Sequence, residues 1–201
     1  MWQPSCSHDA MKARAECYAQ IRAFFMARGV LEVETPVLSQ AGATDPLLAS
    51  ISTRAREKQY LQTSPEFPMK RLLARGSGPI YQICKCFREA EVGGRHNPEF
   101  TMLEWYRTGL SLLQLIQGIS ELVEALTGRS GYEILTYRQA FLSHLGIDPF
   151  DADLNDLQTL ALEMAHFESQ GDESHMDRDA YLDLLLSVCV EPQLGKTSSC
   201  F

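Results

Sequence analysis

The sequence predicts an α+β domain in which an antiparallel β-hairpin is accompanied by helices. Residues 80–88 and 99–107 contain many β-branched and aromatic side chains, and the loop between them holds two glycines and an Asn-Pro turn signal. Residues 9–28 and most of the second half of the chain repeat apolar residues at helical spacing instead. Helices that are separated along the chain from an antiparallel strand pair are typical of the α+β class.

The first predicted element is a helix over residues 9–28, followed by a strand that ends at Pro36. The apolar positions of this helix are Met11, Ala15, Tyr18, Ile21, Phe24 and Phe25. Gly29 is placed to cap it, because glycine readily adopts the left-handed backbone that ends many helices. Taken alone, this pattern indicates an amphipathic helix followed by an edge strand.

Residues 62–73 predict a junction between a strand and a helix. Thr63 and Glu66 have the spacing of a capping box, and Pro65 suits the start of a helix. The carboxylate of Glu66 could therefore serve as a helix cap. Capping would also fix the orientation of this carboxylate toward a ligand.

The predicted hairpin places a carboxylate and a phenol on one face. Side chains alternate along a strand, so one face carries Phe100, Met102, Glu104 and Tyr106. The other face carries Glu99, Thr101, Leu103 and Trp105. With the isolated Arg88, the loop glycines and several carboxylates, this strand-loop-strand unit suits an anionic phosphate compound together with a cationic partner. The alternative is a half-exposed hairpin in which Arg88 forms a weak surface ion pair and Glu104 a cross-strand ion pair.

The second half of the chain predicts packing helices. They cover residues 111–126, 136–145, 154–167 and 179–190, with an exposed loop at 169–178. The 201 residues with 45% hydrophobic content fit one domain, and no apolar run is long enough to span a membrane. The N-terminus does not have the pattern of a signal peptide, so we expect a cytoplasmic protein without a membrane partner.

Charge and cysteine spacing disfavour two kinds of site. The net charge of −8 and the pI of about 5.1 have the wrong sign for gripping a nucleic-acid backbone. The six cysteines show no Cys-x-x-Cys pair, so no metal ligands are predicted. Cys84 and Cys86 share a strand face, which indicates buried thiols more than metal ligands.

Three segments carry a family resemblance. Phe87-Arg88 followed by residues 95–104 closely resembles motif 2 of the class II aminoacyl-tRNA synthetases of the lysine type. Residues 28–36 are similar to the end of motif 1, and residues 62–73 resemble the Thr-Ser-Pro-Glu segment that binds the amino acid. Trp105-Tyr106-Arg107 makes motif 2 look more like that of a stand-alone paralogue that attaches lysine to elongation factor P.

The resemblance implies a fold and an assembly. The chain would be the N-terminal portion of one synthetase-like catalytic domain at 1–201, with an antiparallel sheet flanked by helices and incomplete at its C-terminus. Motif 1 would cover about 9–36, motif 2 about 80–107 and the helical part 110–190. Motif 1 builds the dimer interface in this family, so a homodimer is expected.

The resemblance also implies an ATP-dependent ligase. The enzyme would activate (R)-β-lysine or lysine as an adenylate and transfer it to a lysine of elongation factor P. Arg88 matches the catalytic arginine that bridges the α-phosphate and the carboxylate. The implied ATP-binding residues are Arg88, Glu89, Glu91, His96, Asn97 and Phe100. The implied substrate-binding residues are Ser64, Pro65, Glu66, Glu104 and Tyr106.

One position departs from the family pattern. The family has Phe-Arg-x-Glu, whereas this chain has Ala90 in place of the glutamate, with Glu89 before it and Glu91 after it. Glu91 is the favoured substitute for the carboxylate that accepts the adenine amino group.

The two ends of the chain carry further expectations. The chain has no motif 3 arginine and no late acidic residues for Mg²⁺, so we expect it to be the front part of the catalytic domain. Alone, it is expected to form little or no adenylate. The ion is expected for the family, with its ligands outside this chain. The motif 1 helix begins within the first dozen residues, which leaves no room for an anticodon-binding domain, so no tRNA is expected. The alternatives are a lysyl-tRNA synthetase catalytic fragment and a non-catalytic paralogue that keeps the dimer surface.

Overall fold

The computed structural model describes residues 5–46, 48–54, 57–89, 93, 96–164 and 176–201. Backbone contacts divide the chain into two compact units, residues 1–112 and 113–201. The assignment of the whole chain to one catalytic domain stays a prediction. None of the helices in these ranges is both long enough and apolar enough to cross a membrane.

The first unit combines two helices with five strands. In chain order they are α1 (His8–Met26), β1 (Leu31–Glu32), β2 (Leu38–Ser39), β3 (Tyr60–Leu61), α2 (Glu66–Ala74), β4 (Ile80–Phe87) and β5 (Glu99–Tyr106). The predicted helix, the strand-to-helix junction and the hairpin are all present. The hairpin is confirmed as an antiparallel pair over its full length.

Helix α1 is capped at both ends by its own sequence. The hydroxyl of Ser7 accepts a hydrogen bond from the backbone N–H of Ala10 at 3.1 Å. At the other end Gly29 has a φ of +67°, and its N–H donates to the carbonyl of Met26 at 3.1 Å. The N–H of Val30 donates to the carbonyl of Phe25 at 3.0 Å. These two bonds form a Schellman motif, which confirms Gly29 as the cap.

The main sheet is mixed, so the antiparallel pairing implied by the resemblance is found for β4 with β5 but not for β1. Its strand order is β1, β4, β5, and β1 runs parallel to β4 while β4 runs antiparallel to β5. A parallel pair needs a long crossover connection, and the chain between β1 and β4 supplies one that contains α2. A second pair, β2 with β3, is antiparallel.

The two faces of the hairpin have different environments. Phe25 of α1 stacks on Tyr81 with ring centroids 4.4 Å apart and lies 5.6 Å from the ring of Trp105. Arg14 of the same helix donates to the hydroxyl of Thr101 at 2.7 Å. The face with Thr101 and Trp105 therefore packs against α1. The face with Glu104 and Tyr106 points away from that helix.

The edge strand β1 is tied to the sheet through Glu32. Arg22 Nε donates to both carboxylate oxygens of Glu32 at 3.1 Å, and the Tyr81 hydroxyl donates to Glu32 Oε2 at 2.9 Å. Burial and then this hydrogen bond raise the pKa of Tyr81 to about 12 from its ordinary value of 10.0. A folded-state pKa above the unfolded value means that the phenol stabilises the fold below pH 10 and loses this contribution as the pH rises toward about 12.

Replacing Glu32 with glutamine is expected to lower the pKa of Tyr81. Glutamine still accepts a hydrogen bond but no longer opposes ionisation with a negative charge. The cost in unfolding free energy at pH 7 should stay below about 1 kcal/mol, because the Arg22–Glu32 pair is partly exposed. Ultraviolet titration of the phenolate measures the shift. Glu34→Gln, at an exposed position two residues further on, is the control and should leave the titration unchanged.

The second unit is mainly helical. Its elements are α3 (Leu112–Thr127), which begins at the last residue of the first unit, β6 (Tyr132–Glu133), α4 (Tyr137–Leu145), α5 (Leu154–Met164), α6 (Arg178–Leu185) and β7 (Ser199–Cys200). Its core cluster consists of Phe141, Leu157, Ala161, Tyr181, Leu182 and Leu185. Thr136 and Gln139 form a capping box at the start of α4, and Gly146 ends this helix in the left-handed conformation.

Two details of the second unit differ from the sequence-based expectation. The helix predicted to reach Val190 ends as an α-helix at Leu185 and continues as a π-helical turn over Leu186–Val190. Ser199 and Cys200 pair in parallel with Tyr132 and Glu133, a strand pair that was not predicted. Residues 165–167 of the predicted third helix and 169–175 of the predicted loop lie outside the described residues.

Candidate active site

The hairpin face that points away from α1 brings predicted site residues together. The strand register places Gln82 opposite Glu104, Cys84 opposite Met102 and Cys86 opposite Phe100. Cross-strand partners point to the same side of a sheet, so these side chains form one continuous surface. We call this surface the hairpin face and include Tyr106 and Arg88 in it. Arg88 follows β4 in the same alternation, and its backbone N–H donates to the carbonyl of Pro98 at 2.9 Å.

Arg88 and Phe100 are stacked at the loop end of the hairpin face. The guanidinium carbon of Arg88 lies 5.1 Å from the centroid of the Phe100 ring, within the range of a cation–π interaction. Both side chains are half-buried. A half-buried guanidinium keeps its planar set of donors and is partly shielded from water, which suits recognition of phosphate or carboxylate oxygens.

Glu104 and Tyr106 are paired at the other end of the hairpin face. The Tyr106 hydroxyl donates to Glu104 Oε1 at 2.6 Å. Burial raises the pKa of Glu104, the bond from Tyr106 opposes this shift, and the charge of Glu66 adds to it. Burial and then the bond to Glu104 also raise the pKa of Tyr106. Both shifts show a carboxylate whose negative charge is poorly solvated, so a cation placed beside it would be stabilised.

Glu66 lies close enough to act electrostatically on this pair. Its charge raises the pKa of both Glu104 and Tyr106, while that of Lys70 lowers the pKa of Glu104. The Glu66 carboxylate itself is bound by Lys70 Nζ at 2.5 Å, one helical turn further along α2. We refer to Glu66, Glu104 and Tyr106 as the acidic cluster.

The predicted capping box at α2 is wrong. The residue that precedes this helix is Pro65, and no side chain caps it there. Ser64 Oγ accepts a long hydrogen bond from the N–H of Glu66 at 3.4 Å. The helix begins at Glu66, so Thr63 is too far upstream for its hydroxyl to occupy the capping position. The side chain of Glu66 is therefore not used as a cap.

Of the remaining predicted residues, Glu89, His96 and Asn97 lie on the hairpin loop, whereas Ser64 and Pro65 lie just before α2. Ser64 is half-buried and Pro65 is buried, whereas Glu89, His96 and Asn97 are exposed. The backbone N–H of Glu89 donates to the carbonyl of Ala49 at 3.0 Å.

Two described residues of the loop are bonded to each other. Gly93 and His96 exchange backbone hydrogen bonds of 3.2 and 3.3 Å. Ala90 and Glu91 lie outside the described residues, so the choice between Glu89 and Glu91 stays a prediction.

Two buried glutamines support the site and were not predicted. The side chain of Gln82 is 2% exposed and accepts a hydrogen bond from the hydroxyl of Thr35 at 3.1 Å. Gln62 donates from its side-chain Nε2 to the backbone carbonyl of Lys85 at 2.8 Å, and the backbone carbonyl of Gln62 accepts from the N–H of Phe87 at 2.9 Å. The signal for Gln82 was present, because a polar residue alternates there with apolar ones and falls on the face of Glu104.

The thiols of Cys84 and Cys86 lie on the same face. Cys86 is fully buried and Cys84 half-buried, so the expected burial is confirmed for Cys86 and partial for Cys84. Their sulfur atoms are 3.8 Å apart. The contact between the two thiols lowers the pKa of Cys84, and the same contact together with burial raises the pKa of Cys86.

No group of three or more histidine, cysteine, aspartate or glutamate side chains could hold a metal ion within the described ranges. Where the Mg²⁺ expected for the family would be held stays a prediction.

Comparison with known proteins identifies the family. Residues 3–167 match the family model described as tRNA synthetases class II (D, K and N). The chain is similar to proteins named elongation factor P–(R)-β-lysine ligase. The relative from Pseudoalteromonas translucida (strain TAC 125) is 49% identical over 208 residues, which cover 100% of this chain and 64% of the relative.

Two further relatives of the same name give similar values. The protein of Erwinia tasmaniensis is 47% identical and that of Salmonella typhi 45% identical; each match covers 100% of this chain and 63% of the relative. The chain thus spans a little under two thirds of the length of these relatives. Because the family model covers well over half of the residues, the chain belongs to the class II tRNA synthetases of the D, K and N type.

Proposed function

We propose that the protein activates lysine or (R)-β-lysine with ATP and transfers the resulting lysyl group to a lysine side chain of elongation factor P. The observation that carries this proposal is the hairpin face, with Arg88 and Phe100 at one end and the acidic cluster at the other. The names of the similar proteins support elongation factor P as the acceptor.

The activation step joins an amino-acid carboxylate to the α-phosphate of ATP. A carboxylate oxygen attacks the α-phosphorus, the bond to the bridging oxygen breaks, and pyrophosphate leaves with its electron pair. Arg88 is proposed to donate to the oxygens of both reactants, where negative charge develops in the transition state. Phe100, which already stacks against Arg88, would pack on the adenine ring.

The acidic cluster is proposed to receive the two ammonium groups of a diamino acid. Glu66 would bind the amine nearer the carboxylate, and Glu104 with Tyr106 would bind the other. The poor solvation of Glu104 favours a cationic ligand, because a positive charge beside it offsets the cost of its burial. Since Lys70 already binds Glu66, the substrate ammonium has to replace an existing ion pair.

The transfer step uses the amine of an acceptor lysine on elongation factor P. Its neutral nitrogen attacks the carbonyl carbon of the adenylate, the amide bond forms as the nitrogen releases a proton to solvent, and AMP leaves with the electron pair of the broken bond on its phosphate oxygen. The homodimer proposed from motif 1 would lie along α1 and β1, where Met11, Met26 and Leu31 are 48%, 76% and 58% exposed.

Non-hydrolysable adenylate analogues test the substrate class. Calorimetry should show that lysyl and β-lysyl sulfamoyl adenosine bind at least about tenfold more tightly than the aspartyl and asparaginyl analogues, since only the first two bring a side-chain cation to Glu104. Equal affinity for all four analogues would contradict the proposal. The acceptor is tested by the mass of elongation factor P, which should increase by one lysyl group after incubation with ATP, Mg²⁺, β-lysine and a form of the protein that also supplies motif 3.

A second candidate function is aminoacylation of tRNA, which is favoured by the family model itself. The net charge of −8 argues against it, because binding to nucleic acid depends on neutralising phosphates. We expect no specific binding of lysine tRNA at physiological salt in a filter-binding assay, with serine tRNA as the control. Tight binding of lysine tRNA that weakens steeply with added salt would favour the synthetase instead.

A further inference from the structure

Three sulfur atoms meet in the middle of the hairpin face. Cys84 Sγ and Cys86 Sγ are 3.8 Å apart, and Cys86 Sγ is 4.0 Å from Met102 Sδ. In the strand register Cys84 lies directly opposite Met102, so all three side chains project from the same side of the sheet. We call Cys84, Cys86 and Met102 the sulfur trio.

The spacing of the sulfur trio fits a shared metal ion. A thiolate sulfur lies about 2.3 Å from a bound metal ion, so three sulfurs at the corners of a triangle around it are about 4.0 Å apart. The two separations recorded between these atoms are 3.8 and 4.0 Å, so little movement is needed to enclose an ion. Cys84 and Met102 are half-buried rather than fully buried, which leaves a route from the solvent.

The chemistry of the ligands selects the kind of ion. Thiolate and thioether groups are soft donors, which prefer soft cations such as Cu(I) over magnesium or calcium. We propose that the sulfur trio is a binding site for a soft monovalent cation of the Cu(I) class. On binding, the two thiols release their protons to solvent and the neutral thioether completes the set, with no change in the oxidation state of the metal.

The sulfur trio lies between the two ends of the hairpin face. Along β5, Met102 lies between Phe100 and Glu104, and the strand alternation points all three to the same side. A cation held there occupies the space between the aromatic ring and the acidic cluster. The metal-binding proposal itself does not depend on the proposed ligase function, because it rests on the sulfur atoms alone.

Anaerobic titration of the reduced protein with Cu(I), in competition with a chromophoric Cu(I) chelator, tests the site. We expect one tight equivalent, an ultraviolet thiolate-to-copper charge-transfer band, and protection of the peptide that contains Cys84 and Cys86 from alkylation, read by mass spectrometry. Met102→Leu removes one donor at nearly constant volume and should weaken the first equivalent at least about tenfold. Cys84→Ser should weaken it further.

The control variant is Cys189→Ser, which removes a half-buried thiol of the second unit and should leave the first equivalent unchanged. Circular dichroism and the melting temperature establish that each variant is folded. If Cys84→Ser does not fold, Met102→Leu carries the test by itself. Wild-type affinity in Met102→Leu, or protection of the exposed Cys6 in place of the Cys84 peptide, would overturn the proposal.

Discussion

In a form of the protein that also supplies motif 3, Arg88→Ala is expected to reduce adenylate formation by about 10²- to 10³-fold, the loss typical of removing one donor from a stabilised anionic transition state. The reduction should fall on kcat, with the KM for ATP changed only a few-fold, because the proposed contact strengthens as charge develops at the α-phosphate. ATP–pyrophosphate exchange with β-lysine measures both constants.

Two further variants separate charge from geometry at this position. Arg88→Lys keeps the positive charge but loses the planar set of donors, so its activity should remain close to that of Arg88→Ala. Arg75→Ala removes an exposed arginine just after α2 and should leave the exchange rate unchanged. Binding of lysyl sulfamoyl adenosine provides a readout that does not depend on turnover. An Arg88→Ala protein that binds this analogue and exchanges pyrophosphate as the wild type does would remove Arg88 from the mechanism.

Glu104→Gln is expected to weaken binding of lysyl or β-lysyl sulfamoyl adenosine while leaving ATP affinity nearly intact. A charge-assisted contact contributes about 1.5–3 kcal/mol, which corresponds to about 10- to 150-fold in Kd. Glutamine keeps the shape and an oxygen that accepts the bond from Tyr106, so the change isolates the negative charge. Calorimetry with the analogue and with ATP measures the two affinities.

The direction in which Glu104→Gln changes the stability of the fold can also be predicted. Burial raises the pKa of Glu104 in the folded state, so its ionisation opposes folding at neutral pH. Glu104→Gln should therefore unfold at the same or a higher temperature than the wild type at pH 7. This advantage should shrink as the pH falls through the raised pKa and Glu104 becomes protonated.

Glu99→Gln is the matched control for Glu104→Gln. Glu99 lies on the same strand but on the opposite face, where it forms an exposed ion pair with Lys85 at 2.8 Å. Its loss should leave analogue binding unchanged and lower stability slightly. A Glu104→Gln protein that binds the analogue normally but melts earlier would identify Glu104 as structural, and the acidic cluster would not be the amino-acid site.

Much of the hairpin could be predicted because strand geometry is periodic. Alternation alone placed Phe100, Glu104 and Tyr106 on one face, and the cross-strand register adds Gln82 to it. Alternation could not reveal which face packs against α1, since that depends on where Phe25 lies in space. The glycine after α1 was predictable for a similarly local reason, because a Schellman motif involves only neighbouring residues.

The errors arise where the outcome depends on distant residues or on the start of an element. The parallel pairing of β1 with β4 joins residues about fifty positions apart, and no local pattern encodes strand direction. The capping box failed because α2 begins at Glu66, so Thr63 falls outside the position that its hydroxyl would need. The link between Glu66 and Lys70 is local, but its effect on Glu104 is visible only once α2 and the hairpin are folded.

The alternation of β5 also gives the protein an internal optical probe. The sequence contains two tryptophans, and Trp105 lies between Glu104 and Tyr106 while its indole packs behind them against Phe25. The indole therefore shares a backbone segment with the acidic cluster without competing for its ligands. In a Trp2→Phe background the fluorescence of Trp105 would respond to small movements of this strand. Ligand binding at the acidic cluster could therefore be followed in real time by the emission of a residue on the opposite face of the sheet.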